Sequence, residues 1–99
     1  MDVILETEHG VEVGRVGDNR HRLPGLLPTS NSEFPMLRHI DPYGDTIFNR
    51  PQMQDVLPEL EQLLSLESEQ EARRLLEGVL RLARSCSAEP HLYLRFVGD

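Results

Sequence analysis

The sequence predicts an α+β fold, with a mostly antiparallel sheet of about five strands and an antiparallel helix pair packed on one face. Two observations carry this prediction. Both ends of the chain hold short segments of alternating or β-branched apolar residues, which is typical of strands. Residues 51–89 hold two apolar stripes at helical spacing. The predicted order is ββ-loop-ββ-αα-β, and residues 1–99 suit a single domain.

The first two predicted strands are residues 2–8 and 11–16, which are joined at His9 and Gly10. Gly10 favours a tight hairpin here because glycine adopts a positive φ without steric cost. Residues 20–35 contain three of the seven prolines and show no clean apolar period, so we predict an ordered loop. A loop of this length in a compact domain is more often functional than a short one.

A second hairpin is predicted between strands 36–40 and 46–48. Its turn would be residues 41–44, Asp-Pro-Tyr-Gly, because Asp suits the first turn position, Pro the second and Gly the last. Asn49 or Arg50 is then expected to cap a helix that starts at Pro51.

The same stretch also contains ligand types for a metal ion. His39, Asp41 and Asp45 supply nitrogen and oxygen atoms, and alternate strand residues share a face. Their spacing matches no established metal site, however, and turn chemistry already explains both aspartates. The sequence therefore favours a structural turn, and no metal is expected.

Two helices are predicted to follow. Pro58 would either kink the first helix or lie in its first turn. Ser68 and Glu71 match a capping box at the start of the second helix, and Pro90 ends it. The last predicted strand is residues 91–99, in which Leu92, Leu94 and Phe96 share a face. The predicted buried residues of the helices are Met53, Val56, Leu57, Leu60, Leu63 and Leu64 in the first, and Ala72, Leu75, Leu76, Val79, Leu80, Ala83 and Cys86 in the second.

Composition excludes several classes of function. The chain has 17 acidic residues, ten arginines and no lysine, and its formal net charge is −7. This acidity argues against nucleic-acid binding, and the absence of lysine excludes Schiff-base catalysis and a P-loop. One cysteine, no signal-like segment and no long apolar run predict a cytoplasmic protein without a membrane span. The use of arginine alone points to a GC-rich bacterial genome.

Five residues form the candidate ligand-binding set. Arg20, Arg22 and Arg38 lie in the part of the chain with net positive charge, close in sequence to His39 and Tyr43. Guanidinium groups bind carboxylates and phosphates through paired hydrogen bonds, so a small anion or an acidic partner could dock there. The alternative is that these arginines are solvated or paired with the protein's own acids.

No pattern in the sequence identifies a catalytic residue. Cys86 falls on the predicted apolar face of a helix, where small cysteines are commonly buried and unreactive. The motifs GxSxG, HExxH, CxxC and GxxxxGK[ST] do not occur. A non-enzymatic role is favoured, and no cofactor is expected.

YGDTIFN (residues 43–49) and HLYLRFVGD (residues 91–99) resemble segments of short bacterial proteins from actinomycete-like genomes. This resemblance implies a bacterial origin and carries over no activity, cofactor or catalytic residue. In size and charge the chain is also similar to immunity proteins, which cover the basic active site of a toxin. Acidic side chains cluster along and between the predicted helices, either as a solvated surface that keeps the protein soluble or as a docking surface for a basic partner: Glu59, Glu61, Glu67, Glu69 and Glu71.

The sequence thus predicts a protein-interaction module, immunity-like or adaptor-like, that binds a partner protein as a monomer or homodimer. The alternative is a small-anion binding protein, or a minor enzyme, that uses the arginines and histidine of the loop and second hairpin.

Overall fold

The computed structural model describes residues 1–29 and 31–98, and its architecture is α+β. Four strands form one antiparallel sheet in the order β2-β1-β4-β3. The strands are β1 (Asp2–Thr7), β2 (Glu12–Val16), β3 (Thr46–Asn49) and β4 (Leu92–Val97). The helices are the short α1 (Leu23–Leu26) and the long α2 (Met53–Leu66) and α3 (Gln70–Ala88), and residues Leu37–His39 form one 3-10 turn.

The first hairpin is confirmed. Thr7 N–H donates to Val11 O at 2.9 Å, Gly10 N–H donates to Thr7 O at 3.0 Å, and Gly10 has φ +79°. The pairing of β1 with β2 is regular from Val3 to Leu5 and shifts between Leu5 and Glu6.

The predicted strand 36–40 is wrong, because this segment forms the 3-10 turn. The strand Thr46–Asn49 therefore does not pair with it, and pairs with β4 instead. Leu37 and Ile40 are both buried, and a helical turn can bury two residues three apart where a strand would expose one of them. The buried carboxylate of Glu59 fixes the turn by accepting N–H groups of Met36 at 3.1 Å and Leu37 at 2.9 Å. The sheet accordingly has four strands rather than five.

The loop predicted over 20–35 is interrupted by α1, in which Leu23 is buried and Pro24 occupies the first turn. Leu27 and Phe34 are also buried, so the chain contacts the core at two further positions after this helix. Ser30, within that loop, and Asp99, within the last predicted strand, lie outside the described residues.

Capping departs from the prediction at both helix starts, since α2 begins at Met53 rather than Pro51 and its N-cap, Gln52, makes no side-chain capping bond. Asn49 Oδ1 accepts Gln52 N–H at 3.0 Å and Gln52 Oε1 accepts Asn49 N–H at 2.8 Å, so Asn49 caps the turn that leads into α2. Pro58 lies inside α2 rather than in its first turn. The cap of α3 is Glu69, not Ser68, since the Glu69 carboxylate accepts the N–H of Ala72 at 2.7 Å.

The core lies between the sheet and the helices. Phe48 and Phe96 meet edge to face, with ring centroids 5.9 Å apart and planes at 86°. Alternate residues of the central strands, Val3 and Leu5 from β1 and Leu94 and Phe96 from β4, face the helices. The buried residues of α3 are Ala72, Leu76, Val79, Leu80, Ala83 and Cys86, as predicted except that Leu75 is only partly buried.

Helix α3 lies directly against the edge strand β2. A Cβ atom on Gly14 would come 2.9 Å from Leu82 Cδ2, and one on Gly78 would come 3.0 Å from Val16 Cγ2. Because Gly14 meets the later residue of α3 and Val16 the earlier one, strand and helix run side by side in opposite directions.

The turn 41–44 is confirmed, and its glycine closes it without a positive φ. Gly44 N–H donates to Asp41 O at 3.4 Å, and Tyr43 N–H donates to Asp41 Oδ1 at 2.8 Å. Gly44 does not have a positive φ, which among the described glycines occurs at Gly10.

Within the described part of the chain, no helix is both long and apolar enough to cross a membrane.

Candidate functional site

Two of the five predicted ligand-binding residues come together. Arg20 and Arg22 line a small cleft of about 160 Å³ beside the start of α3, here called the arginine cleft. A carboxylate oxygen of Glu71 lies 3.5 Å from a guanidinium nitrogen of each arginine, and Glu69 lies 3.0 Å from Arg22. The positive charge of this cleft is therefore balanced from within the protein.

The other three predicted residues lie elsewhere. Arg38 and His39 are exposed on the 3-10 turn, and the side chain of Tyr43 is 83% exposed on the turn that follows. Across residues 1–29 and 31–98, no side-chain hydrogen bond or ion pair joins these three to Arg20 or Arg22. A ligand-binding role for the five residues stays a prediction.

A larger cleft of about 580 Å³ opens between the first hairpin and the end of α3, here called the hairpin cleft. The central position of β4 creates it, because β4 brings the residues after α3 against β1. Sequence reasoning missed this cleft, since it read the hairpin and Pro90 only as chain reversals. Its walls include Leu5, Glu8 and Val13 from the hairpin side, and Glu89, His91 and Leu92 from the other.

The rim of the hairpin cleft joins these two parts of the chain. Glu8 Oε1 lies 3.6 Å from His9 Nε2, and Glu8 Oε2 lies 3.5 Å from His91 Nδ1. His91 has φ +64°, a left-handed conformation that is uncommon for a residue other than glycine. The sharp reversal at His91 lets β4 begin immediately after α3 and places the imidazole beside Glu8.

The charge and polarity of the hairpin cleft suit a cation with an apolar stem. Glu8 and Glu89 contribute carboxylates, and the last turn of α3 contains no basic residue. The free carbonyl groups at a helix C-terminus add partial negative charge. Leu5 and Leu92 contribute apolar surface below the rim, and Arg and Lys side chains combine a hydrocarbon stem with a charged end.

The acidic surface predicted along the helices is largely committed to the fold itself. Glu59 is buried under the 3-10 turn, and the Glu67 carboxylate accepts Ser68 and Glu69 N–H groups at 3.1 Å. Glu69 caps α3 and pairs with Arg22. This surface is therefore a weaker docking candidate than the sequence indicates.

The face of the sheet away from the helices carries charges that neutralise one another. Arg95 lies 3.0 Å from Asp45 Oδ2, and its Nε lies 3.1 Å from Glu6 Oε1 at an angle too poor for a hydrogen bond. Arg15 pairs with Asp2 and, at 2.8 Å, with Glu12. Asp45 thus serves an ion pair on this face.

A buried polar cluster anchors the start of the chain, and sequence reasoning missed it. The carboxylate of Asp18 lies 3.1 Å from the Met1 ammonium and accepts N–H groups of Arg22 at 2.8 Å and Leu23 at 2.9 Å. Burial alone would raise the pKa of Asp18, but these donors outweigh it and hold the pKa below its usual value. Its partners lie up to 17 positions away, so no local pattern reveals the cluster.

The structure offers neither a metal centre nor an accessible thiol in the part of the chain that it describes. No group of three or more His, Cys, Asp or Glu side chains is placed to hold a metal ion there. Cys86 is buried, with Sγ 3.5 Å from Leu92 O, and burial raises the pKa of its thiol.

No family model, no curated protein and no solved structure matches this chain. The geometry and charge of the clefts are therefore the basis for inferring function.

Proposed function

We propose that this protein is a non-enzymatic interaction module, immunity-like or adaptor-like, that binds a basic segment of a partner protein in the hairpin cleft. One observation carries the proposal. Glu8 and Glu89 line the hairpin cleft, and neither has an arginine partner within the described residues, although Glu8 faces the imidazoles of His9 and His91. The acids of the sheet face and of the arginine cleft, by contrast, are paired with arginines.

The overall charge supports the same type of partner. With a formal net charge of −7, the protein attracts basic molecules over distance and repels acidic ones. Charge complementarity of this kind raises association rates, and salt weakens it because the Debye length is only ~8 Å at physiological ionic strength. A bacterial cytoplasm is the proposed setting, which the reduced, buried Cys86 fits.

The test is an NMR titration of isotope-labelled protein with N-acetyl-arginine amide. We expect chemical-shift changes centred on Thr7, His9 and His91, which line the hairpin cleft, and a loss of these changes as salt is added. N-acetyl-glutamate amide, the probe of opposite charge, should leave the cleft signals unchanged.

Two double variants distinguish the effect of the charge at the hairpin cleft from the effect of the net charge of the protein. Glu8→Gln with Glu89→Gln should abolish the shifts at the cleft. Glu33→Gln with Glu61→Gln removes the same formal charge from exposed positions away from the cleft and should preserve them. Absence of cleft-centred shifts at millimolar probe, or equal loss in both double variants, would contradict the proposal.

The small-anion alternative rests on the shared cleft of Arg20 and Arg22. Inorganic phosphate would have to displace Glu69 and Glu71 from these guanidinium groups, which weighs against tight binding. If phosphate binds there, it raises the melting temperature and the rise disappears in Arg22→Ala. An unchanged melting temperature at millimolar phosphate would exclude this alternative.

A further inference from the structure

The sheet has an open edge that leads into the hairpin cleft. Within residues 1–29 and 31–98, strand β2 pairs with β1 alone, so the backbone groups on its other side have no strand partner there. The irregularity in pairing lies between Leu5 and Glu6, which leaves Gly14–Val16 a regular edge. No proline occurs in β2, although natural edge strands commonly use it to prevent further pairing.

Helix α3 forms one wall along the whole of this edge. Beyond the two glycine contacts described above, Val13 and Ser85 meet in the hairpin cleft at one end of β2. Gly17 and Leu75 meet in the arginine cleft at the other end. Helix α3 therefore runs beside the edge strand from one cleft to the other.

Apolar side chains lie beside the unpaired backbone of β2. Val13 is 54% exposed, whereas Leu75 and Leu82 on the helical wall are partly buried. An extended segment places every second side chain on the same face, so residues one and three of such a segment could contact this wall together.

We infer that an extended segment of the partner adds to β2 as a further strand and inserts a basic side chain into the hairpin cleft. The inference rests on the proposed function and specifies how the partner is held. Backbone pairing with β2 supplies affinity, as in other cases of strand addition, and Glu8 and Glu89 select the basic side chain through charge complementarity.

Geometry fixes the length of the segment. Strand β2 has five residues, which at about 3.3 Å per residue extend roughly 17 Å. A five-residue segment therefore spans β2. Three of its residues pair with the regular edge Gly14–Val16, its basic residue lies at the Val13 end beyond the irregularity, and its apolar residues lie against Leu82 and Leu75. The basic side chain needs to cross only one strand spacing of about 4.8 Å to reach the cleft.

A second copy of this chain is a poorer occupant than a basic segment. The residues of β2 that face the helices are Gly14 and Val16, which lie opposite the buried Leu5 and Val3. Its one basic residue, Arg15, lies on the other face of the sheet, where it pairs with Asp2 and Glu12. Self-pairing through β2 would bring no basic side chain to the hairpin cleft.

The test uses two pentapeptides, Ac-Arg-Thr-Val-Thr-Val-NH2 and its reverse, Ac-Val-Thr-Val-Thr-Arg-NH2, measured against N-acetyl-arginine amide. We expect one of them to bind on the order of tenfold more tightly than the amide, because backbone pairing adds to the contact of the side chain. The preferred sequence shows whether the segment runs parallel or antiparallel to β2.

Backbone methylation distinguishes strand pairing from simple side-chain contact. Alternate N–H groups of a strand point to the same neighbour. N-methylation of the first, third and fifth residues should therefore affect affinity differently from N-methylation of the second and fourth. One set should abolish the gain in affinity over N-acetyl-arginine amide, and the other should preserve it.

A matched pair of protein variants tests the location. Val13→Lys puts a cation at the cleft and should reduce the affinity for the tighter-binding pentapeptide at least about tenfold by charge repulsion. Val11→Lys adds the same charge at a position that does not line the cleft. Val11 is 58% exposed and Val13 54%, so the two substitutions are comparable, and the affinity for the peptide should stay within about twofold in the Val11 variant.

The outcomes separate the two proposals. If the amide binds in the cleft but both pentapeptides bind no better, or both methylation sets act alike, strand addition is wrong and the proposed function stands. If neither the amide nor a peptide binds, the proposed function fails as well. A concentration-dependent dimer by light scattering that Val13→Lys dissolves would assign the edge to a second copy and overturn the inference.

Discussion

Gly98 donates its backbone N–H to the carbonyl oxygen of Gly44 across 3.0 Å, so the end of β4 rests directly on the 41–44 turn. A Cβ atom on Gly98 would overlap the backbone O and N atoms of Gly44 and would lie 2.8 Å from Asp41 O. Only glycine permits this approach, and the atoms in the way are backbone atoms that cannot rotate aside.

Gly98→Ala should therefore destabilise the protein by about 1–3 kcal/mol, the usual range for an overpacked contact. Urea denaturation at neutral pH measures the change in free energy of unfolding. Gly25→Ala is the matched control, because a Cβ atom there meets nothing within 4 Å and alanine favours the helix that contains it. Equal stability of the two variants would show that the turn simply moves away from β4.

Acid should destabilise the protein through its hydrogen-bonded carboxylates. The pKa of Asp18 is lowered because its donors outweigh the effect of burial, and that of Asp2 is lowered first by the N–H of Asp18. A carboxyl group with a lower pKa in the folded state stabilises that state above its unfolded pKa, and this contribution is lost as pH falls. Stability should thus decrease from about pH 4 downward.

Urea midpoints between pH 7 and pH 3 check this expectation. Asp2→Asn should reduce the dependence of the urea midpoint on pH below pH 4. Asp55 is exposed in the first turn of α2, so Asp55→Asn should change that dependence little. Midpoints that stay constant down to pH 3 would show that these carboxylates contribute nothing to stability.

Glu59→Ala should destabilise the 3-10 turn Leu37–His39. The substitution leaves the N–H groups of Met36 and Leu37 without their acceptor, which typically costs about 1–3 kcal/mol for a buried donor. Glu61→Ala, at an exposed position of the same helix, should stay within about 0.5 kcal/mol of the parent protein. Amide hydrogen exchange gives the local readout, since Leu37 should lose protection in the first variant only.

Phe48→Ala should cost about 3–5 kcal/mol, because the ring is 4% exposed and packs edge to face against Phe96. Ile47→Ala, on the other side of the same strand and 54% exposed, should be mild. Asp45→Ala should also cost no more than about 1 kcal/mol, since it removes only a partly exposed ion pair with Arg95. A folded Asp45→Ala protein that loses partner binding would give this residue a functional role as well.

Local patterns in the sequence were sufficient for the two long helices, the first hairpin and the 41–44 turn, because periodicity and turn chemistry act over a few residues. Residues 36–40 fit two patterns at once: they alternate like a strand, and Leu37 and Ile40 have the spacing of a helical turn. Glu59, more than twenty positions away, selects the second. No single-segment argument could weigh that contact.

The candidate site was harder to predict for the same reason. Arg20 and Arg22 line one cleft, yet Glu69, expected to form part of an acidic docking surface, caps α3 and binds Arg22. The hairpin cleft depends on β1 and β4 lying side by side. That pairing joins the two ends of the described chain and leaves no trace in any short window of sequence.

The central place of β4 in the sheet also has a kinetic consequence. The β1–β2 hairpin and the α2–α3 pair can form from neighbouring residues. Within the described part of the chain, β3 pairs with β4 alone, and β1 must meet β4 across nearly the whole sequence, as in the pairing of Val3 with Phe96. Contacts between such distant residues pay for loop closure before they gain packing energy, which slows folding. In stopped-flow refolding, we expect Leu94→Ala to slow the folding rate and Val16→Ala to act mainly on unfolding. The reverse pattern would mean that the β1–β2 hairpin, not the arrival of the last strand, limits the rate.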